Sequence, residues 1–580
     1  MNPEGSAKVL VLGDAPRITA RSESGQRSIV LFGNTIASGR TISEINQPED
    51  WANDPVHQVR QLNGEFVVLV ETTDRIVIAN DRFAAIPVFY TVENRDLVLS
   101  FSYQAIWRRL KERNLLKPDS LAFYEFLHFQ RLFGTTTLDE STKTLPPASC
   151  LSLDKITGAI ETTRYWKPNF TKRNDGLMAI AADLAEATRA SVSAKTSDKE
   201  NVALLLSGGM DSRVVLGGFD KTKPPHCVTV GDTENNEVDV AKSLARITGA
   251  DHSFVQRSPS HYADILSQSS ASGGCMYLFE HGHFFNLEFP STDLILHGHG
   301  FDYFFQGMYL PSQRRRLLGR PTRSWSLEPI PPDIPGEYLQ KASYRLKGID
   351  SSGLLKPEFI SQAEDRLRSD LEGVLETISG ETSEPYDDWD YLTTSAPGRH
   401  YTYLNLLSAN SLAEQRTISF DNDIFDIYYS TPAIIRHGTR LLAETIKCLN
   451  PKLLEVRNAN TNLRPDLSPT SLTIKAWTRG TRRRMHLGGS TLSDPTIADR
   501  SWPTSNTLLQ GSQALRDRVE NLQNSEAIES LEIFDLSKIR KLVEAYCTGS
   551  SSVAPALLSL VTIDEFLRSS GGRRIHPNMP

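Results

Sequence analysis

Short β-branched runs alternate with turn residues over the first 165 or so positions: KVLVLG (8–13), SIVLFG (28–33), EFVVLVE (65–71), RIVIAN (75–80), IPVFYT (86–91) and DLVLSF (96–101). Each has strand length and strand composition. LAFYEFLHF (121–129) reads as a helix, and CLSLDKITGAIETTRYW (150–166) as a hairpin around Thr157-Gly158. From about 175 the period lengthens. GLMAIAADLAEATRASVSAK (176–195) places apolar residues at helical spacing. A strand at 201–206, a helix from 211, a strand HCVTVGD (226–232), a helix EVDVAKSLARITG (237–249) and a strand HSFV (252–255) follow, and another strand, DLILHGHG, starts at 293. That alternation predicts βαβ crossovers and a parallel sheet. Beyond 335 the pattern is mostly helical, with a polar stretch near 486–512 read as loop.

One strand end carries chemistry. ALLLSGGMDSRVVLGG (203–218) runs from an apolar strand into Ser207-Gly208-Gly209 and then a helix. In parallel sheets, ligands bind beyond the carboxyl ends of the strands. A helix start offers unpaired N–H groups, and glycines let the backbone close around an anion. Ser207 and Ser212 add hydroxyls, so the stretch suits a phosphate or pyrophosphate. It lacks the Walker lysine and carries Asp211 instead. An acid beside phosphates calls for a cation between them, which predicts Mg²⁺. The alternative is a glycine turn with an Asp cap.

Composition narrows the class without naming it. The 580 residues are 39% hydrophobic and 23% charged, with net charge -7, which argues against a dedicated nucleic-acid binder. The basic runs Gln313-Arg314-Arg315-Arg316 and Arg482-Arg483-Arg484 read as solvated surface. Five cysteines, none in CxxC, fit a reducing compartment and no structural zinc. No leader and no apolar run near 18 residues is found, so a cytoplasmic chain without membrane spans is expected.

Ser207-Gly208-Gly209-Met210-Asp211-Ser212 resembles the SGGxDS signature of ATP pyrophosphatases. LILHGHGFDYFFQGMYLP (294–311) resembles the asparagine-synthetase strand end, with Gly298, Gly300, Asp302, Phe304 or Phe305 and Gly307 matching. VTVGDTENNEVDVAKSLARITGADH is similar to the family segment that holds adenine, at Val230 and Gly231. AEQRTISFDNDIFDIYYSTP matches a further pattern at Glu414, Arg416, Phe420 and Asp421, and LNGEFVVLVETTDRIVIANDRFAAIPVFY (62–90) resembles the family's glutaminase half. The resemblance to the asparagine synthetase family covers about 5–470, in order.

It implies α/β and α+β architecture in two domains: an N-terminal αββα, Ntn-hydrolase-like sandwich over 1–170 and a parallel-sheet ATP-pyrophosphatase domain with a large helical part over 171–580. It also implies ATP bound by Leu206, Ser207, Gly208, Gly209, Asp211, Ser212, Val230, Gly231 and Gly298, with Mg²⁺ on Asp211 and Asp302. A carboxylate, small-molecule or peptide, would become an acyl-AMP and be attacked by an amine.

The family pattern breaks in three places. Its glutaminase nucleophile is an N-terminal cysteine, whereas this sequence opens Met1-Asn2-Pro3 and has no cysteine before Cys150; the expectation is an inactive first domain. β-Lactam synthetases and lasso-peptide cyclases resemble that arrangement, and a lasso-type member would work with a partner protease. Asparagine synthesis and sugar-uronate amidation from ammonia or glutamine are the other substrates, and an inactive binding protein is the other class. Next, His299 replaces an acidic residue; imidazole titrates near neutrality, so His299 is a candidate general base, the alternative being a loop hydrogen bond. Finally, Ala459 stands where the family has a catalytic lysine, leaving Arg440 or Arg464 to stabilise phosphate charge.

Overall fold

The computed structural model describes residues 7–317, 319–341, 349–484 and 502–569. Eleven strands fill the first part of the chain: β1 (Val9–Leu12), β2 (Ile18–Ser24), β3 (Arg27–Ala37), β4 (Arg40–Thr41), β5 (Asn63–Glu71), β6 (Arg75–Asn80), β7 (Phe89–Glu93), β8 (Asp96–Ser100), β9 (Lys143–Thr144), β10 (Ser149–Asp154) and β11 (Ile160–Arg164). They form two sheets, ordered β1-β8-β7-β9 and β11-β10-β6-β5-β3-β2, with β4 paired to β3. Val30, Phe32, Val67, Ile76, Ile78, Leu97, Leu99 and Leu151 fill the space between them. On the outer face of the larger sheet, Trp51 and Val59, from the short helices Pro48–Asn53 and Pro55–Arg60, pack with Phe66, Val68 and Ala79. Helix Tyr103–Glu112 lies against β7 and β8. Helix, sheet, sheet, helix is the αββα order expected.

A second sheet system follows the 20-residue helix Leu177–Thr196. Its strands are β12 (Val202–Leu205), β13 (His226–Gly231), β14 (His252–Gln256), β15 (Leu294–His297) and, far along the chain, β18 (Glu414–Thr417). The order is β14-β13-β12-β15-β18, and every pairing is parallel. β12 and β15 are neighbours, so the ends of these two strands meet, which is what places the site. An antiparallel hairpin, β16 (Ser312–Leu317) with β17 (Arg320–Leu327), stands apart from this sheet.

The sandwich is bolted to the parallel sheet through β18. Buried Glu65 accepts from the Thr417 amide and from the Thr417 hydroxyl at 3.3 Å, and takes the Gln415 amide at 3.2 Å. Asn63 bonds to Asp421 at 3.0 Å, and Arg82 to Asp426 at 3.1 Å. The family-like residues Glu414, Arg416, Phe420 and Asp421 belong to this seam. Arg416 pairs with Asp198 and Glu414, Phe420 stacks on Phe83 at 4.8 Å, and Asp421 caps helix Asn422–Ser430.

Two expectations need amendment. The opening Met1-Asn2-Pro3 and most of the polar 486–512 stretch lie outside the described residues. Within the rest of that stretch, Ser505–Gly511 is helical rather than loop, because Thr504 caps it and Leu508 and Leu509 are buried. The basic run at 482–484 ends the helix Pro469–Arg484.

Candidate active site at the carboxyl ends of two adjacent strands

β12 ends at Leu205, and the chain turns through Ser207-Gly208-Gly209 into helix Asp211–Gly218. The loop is self-fastened. The Ser207 amide donates to Ser212 Oγ at 3.1 Å, the two hydroxyls lie 3.0 Å apart, and the Gly209 amide donates to Ser207 Oγ at 3.2 Å. Thr229 on β13 donates to Leu206 O at 2.7 Å, fixing where the strand stops.

The backbone after β15 presses directly on this loop. A Cβ on Gly298 would stand 2.3 Å from the Ser212 amide nitrogen and 2.5 Å from the Asp211 carbonyl carbon, so only glycine lets the two strand ends close. The closure brings Asp302, in the short helix Phe301–Phe305, to face Asp211. Burial and the neighbouring Asp302 charge push the Asp211 carboxyl well up, and burial pushes Asp302 up to about 6. Gln306 donates to Asp211 at 2.6 Å.

A cavity of about 180 Å³ opens here. Leu206, Ser207, Asp211, Ser212, Val230, Gly298, His299 and Asp302 line it, as expected from the sequence. Gly208, Gly209 and Gly231 shape the backbone behind it without lining it; a Cβ on Gly208 would meet that of Ala459 at 2.3 Å. Arg440 and Arg464 are corrections. Neither lines the cavity: both are exposed, Arg440 at the start of helix Arg440–Leu449 and Arg464 in a surface ion pair with Asp466 at 2.7 Å. The premise for His299 is corrected too. Burial and His297 hold its imidazole down to about 3, so it resists taking up a proton. Its Nε2 lies 3.1 Å from the Tyr303 hydroxyl, and the Tyr303 ring stacks on His400 at 4.8 Å.

Sequence reading missed three contributors. Arg213 is fully buried without an acid partner among the described residues, and its guanidinium donates to the carbonyls of Gly208, Gly209, Leu453, Val456 and Arg457. It staples the phosphate-type loop to the segment that carries Ala459, whose amide donates to Gly208 O at 3.0 Å. Trp502 walls the cavity and stacks on His283 at 4.1 Å with Arg257 5.0 Å from its ring centroid. Asn405 lines the same space, with an Oδ1 that has no hydrogen-bond partner among the described residues. Arg213 is legible only as the residue after SGGMDS; the other two arrive from distant elements.

A hydrogen-bonded path leads out of the cavity. The His299 amide donates to His297 Nδ1 at 3.3 Å, which leaves the proton on Nε2 to go to Gln415 Oε1 at 2.9 Å, and Gln415 in turn donates to Glu65. Glu65 and Gln415 line a second cavity, of about 310 Å³, between the sandwich and the parallel sheet.

Comparison with known proteins agrees with the two halves of the fold. Residues 183–372 match the asparagine synthase family, and residues 49–166 match the glutamine amidotransferase domain. Asparagine synthetase [glutamine-hydrolyzing] 1 of Bacillus subtilis (strain 168) is 26% identical over 211 residues, 36% of this chain and 33% of that protein. Carboxyethyl-arginine beta-lactam-synthase of Streptomyces clavuligerus is 23% identical over 194 residues, 33% of this chain and 34% of that protein. Asparagine synthetase [glutamine-hydrolyzing] 3 of Bacillus subtilis (strain 168) is 26% identical over 203 residues, 32% of this chain and 31% of that protein. The chain therefore spans about a third of the length of the relatives it matches.

Proposed function

We propose that the chain is an asparagine-synthetase-like, ATP-dependent carbon–nitrogen ligase that activates a carboxylate as an acyl-AMP for attack by an amine. One observation carries this reading: two carboxylates, Asp211 and Asp302, converge from neighbouring strand ends onto a loop built like an anion cradle.

In the proposed reaction a substrate carboxylate oxygen attacks the α-phosphorus and pyrophosphate departs. The amine nitrogen then bonds to the acyl carbon as the acyl–oxygen bond breaks, and the departing AMP phosphate takes the electron pair and the amine's proton. The loop amides and the Ser207 and Ser212 hydroxyls bind the phosphates, and Arg213 keeps that loop in shape. Leu206, Val230 and Trp502 form the apolar walls that exclude water. Neutral His299, held against Tyr303, orients the amine through a hydrogen bond rather than by storing its proton.

The donor set fits Mg²⁺. Two facing acids, each raised by burial, with repulsion adding to the rise at Asp211, are relieved by a hard divalent cation. No cluster of three or more metal-binding side chains exists among the described residues, so phosphate oxygens and water would complete the shell. When bound, the ion would neutralise charge on the leaving pyrophosphate.

Amide formation by an amine substrate, as in lactam or macrolactam closure, is the finer reading. The partial match to a β-lactam synthase supports it. The test is carboxylate-dependent exchange of labelled pyrophosphate into ATP. Exchange is expected with the right carboxylate and should fall by ~100-fold or more in Asp211→Asn and Asp302→Asn. Release of ADP and inorganic phosphate instead would remove the proposal.

A further inference from the structure

The arginine run at 314–316, read from the sequence as ordinary solvated surface, lies on the hairpin β16–β17. This hairpin leaves the core directly after the turn that bears Asp302: Gly307 to Leu310 lead into β16, and Glu328 closes the base with its amide on Pro311 O at 2.9 Å. Helix Pro469–Arg484 packs against β17, with Trp477 Nε1 donating to Pro321 O at 3.2 Å. β16 has no partner strand on its other side among the described residues.

Side chains make that edge distinctive. Arg315, Arg316 and Arg320 are exposed and form no ion pair among the described residues. Leu317, Trp325 and nearby Met308 are each more than half exposed, and the Arg314 guanidinium sits 5.9 Å from the Trp325 ring centroid. Proteins blunt open edges with charge, but usually without large apolar groups beside it. Unpaired backbone, fixed cations and exposed apolar side chains are what an added strand needs. The chain as a whole carries a net charge of -7, so the ribbon is a local reversal of sign.

We propose that β16 is a docking edge for an extended acidic peptide, whose backbone adds to the hairpin while its carboxylates meet Arg315, Arg316 and Arg320. Arginine forks bind carboxylates in pairs, and Trp325 and Leu317 receive the intervening apolar residues. The exposed Trp325, Leu317 and Met308 among the arginines favour a peptide with interspersed apolar residues over a polyanion such as nucleic acid or an anionic bilayer. As a statement about binding, the inference stands without ATP; as a statement about substrate class, it rests on the ligase reading and makes the activated carboxylate part of a peptide.

The experiment uses the full chain and a fluorescent peptide of alternating glutamate and valine, followed by anisotropy without nucleotide. Binding is expected at low salt, weakened at about 0.5 M salt. The triple variant R315E/R316E/R320E should weaken it by ~10-fold or more, and Trp325→Ala should weaken it too, with thermal melts unchanged because these residues are exposed. The proposal is overturned if charge reversal leaves affinity unchanged, or if a lysine–valine peptide binds equally well. Tighter binding of single-stranded DNA or phosphatidylserine vesicles through the same arginines would also overturn it. Peptide binding without pyrophosphate exchange would leave the docking edge standing and the ligase reading failed.

Discussion

A single methyl group at position 298 tests how closely the two strand ends must approach. With backbone atoms of Asp211 and Ser212 under 3 Å from its Cβ, Gly298→Ala must push the β15 turn away. Such overpacking costs about 1–3 kcal/mol, and ATP affinity by calorimetry should drop by ~10-fold or more. Arg213 gives the complementary test. Lysine keeps the charge but cannot span five carbonyls, so Arg213→Lys should raise KM for ATP several-fold with kcat less affected. Wild-type steady-state parameters in that variant would show that the staple is dispensable. Residue-level legibility divides along the same line. Ser207, Asp211 and Asp302 were readable because strand ends in a parallel sheet have a fixed use. Arg440 and Arg464 follow only from being cations near a missing lysine; both are exposed, Arg440 at the start of its helix and Arg464 in coil, paired with Asp466.

Elements meet the site through contacts that sequence periodicity does not encode. Helix Pro385–Thr394 is joined to the short helix Ala433–Arg436 by a buried ion pair, Asp390 to Arg436 at 2.6 Å, with both side chains almost fully covered. Removing one partner strands the other in a medium that solvates it poorly. Asp390→Ala is therefore expected to lower unfolding free energy by about 3–5 kcal/mol in denaturant melts. Replacing the pair together by leucine and methionine should recover much of that loss. If the single and double replacements are equally damaging, packing rather than charge is what the site requires. Strands of the sandwich and the βαβ series were legible because β-branched runs and helical spacing are local signals. The hairpin β16–β17 was not, because arginines and an exposed tryptophan give no half-buried alternation.

Across the whole molecule, buried imidazoles and buried carboxyls pull stability in opposite directions as pH changes. Burial holds His252, His261 and His297 down to about 4, against about 6.5 in an unfolded chain. Between those values the unfolded state binds more protons at these imidazoles, so their contribution is full above pH 6.5 and is lost as pH drops towards 4, while Asp81, raised to about 7, and Asp302, raised to about 6, act in the opposite direction. His252→Gln should therefore lose less stability than the parent between pH 7 and pH 4.5, by thermal melts; an equal change in the two proteins would contradict the burial argument. The two-part plan was legible from the switch in period near 175, since each half repeats its own pattern. The seam was not, because Glu65, Gln415 and His297 are brought together from strands hundreds of positions apart. Trp502 raises a different matter, one of timing. The last wall of the cavity proposed to take the nucleotide is translated long after the loop and both acids, so a chain still growing on the ribosome carries the cradle open. Nucleotide capture then belongs to the finished polypeptide, and Trp502→Ala in the full chain should hold ATP poorly while its thermal melt stays close to that of the parent.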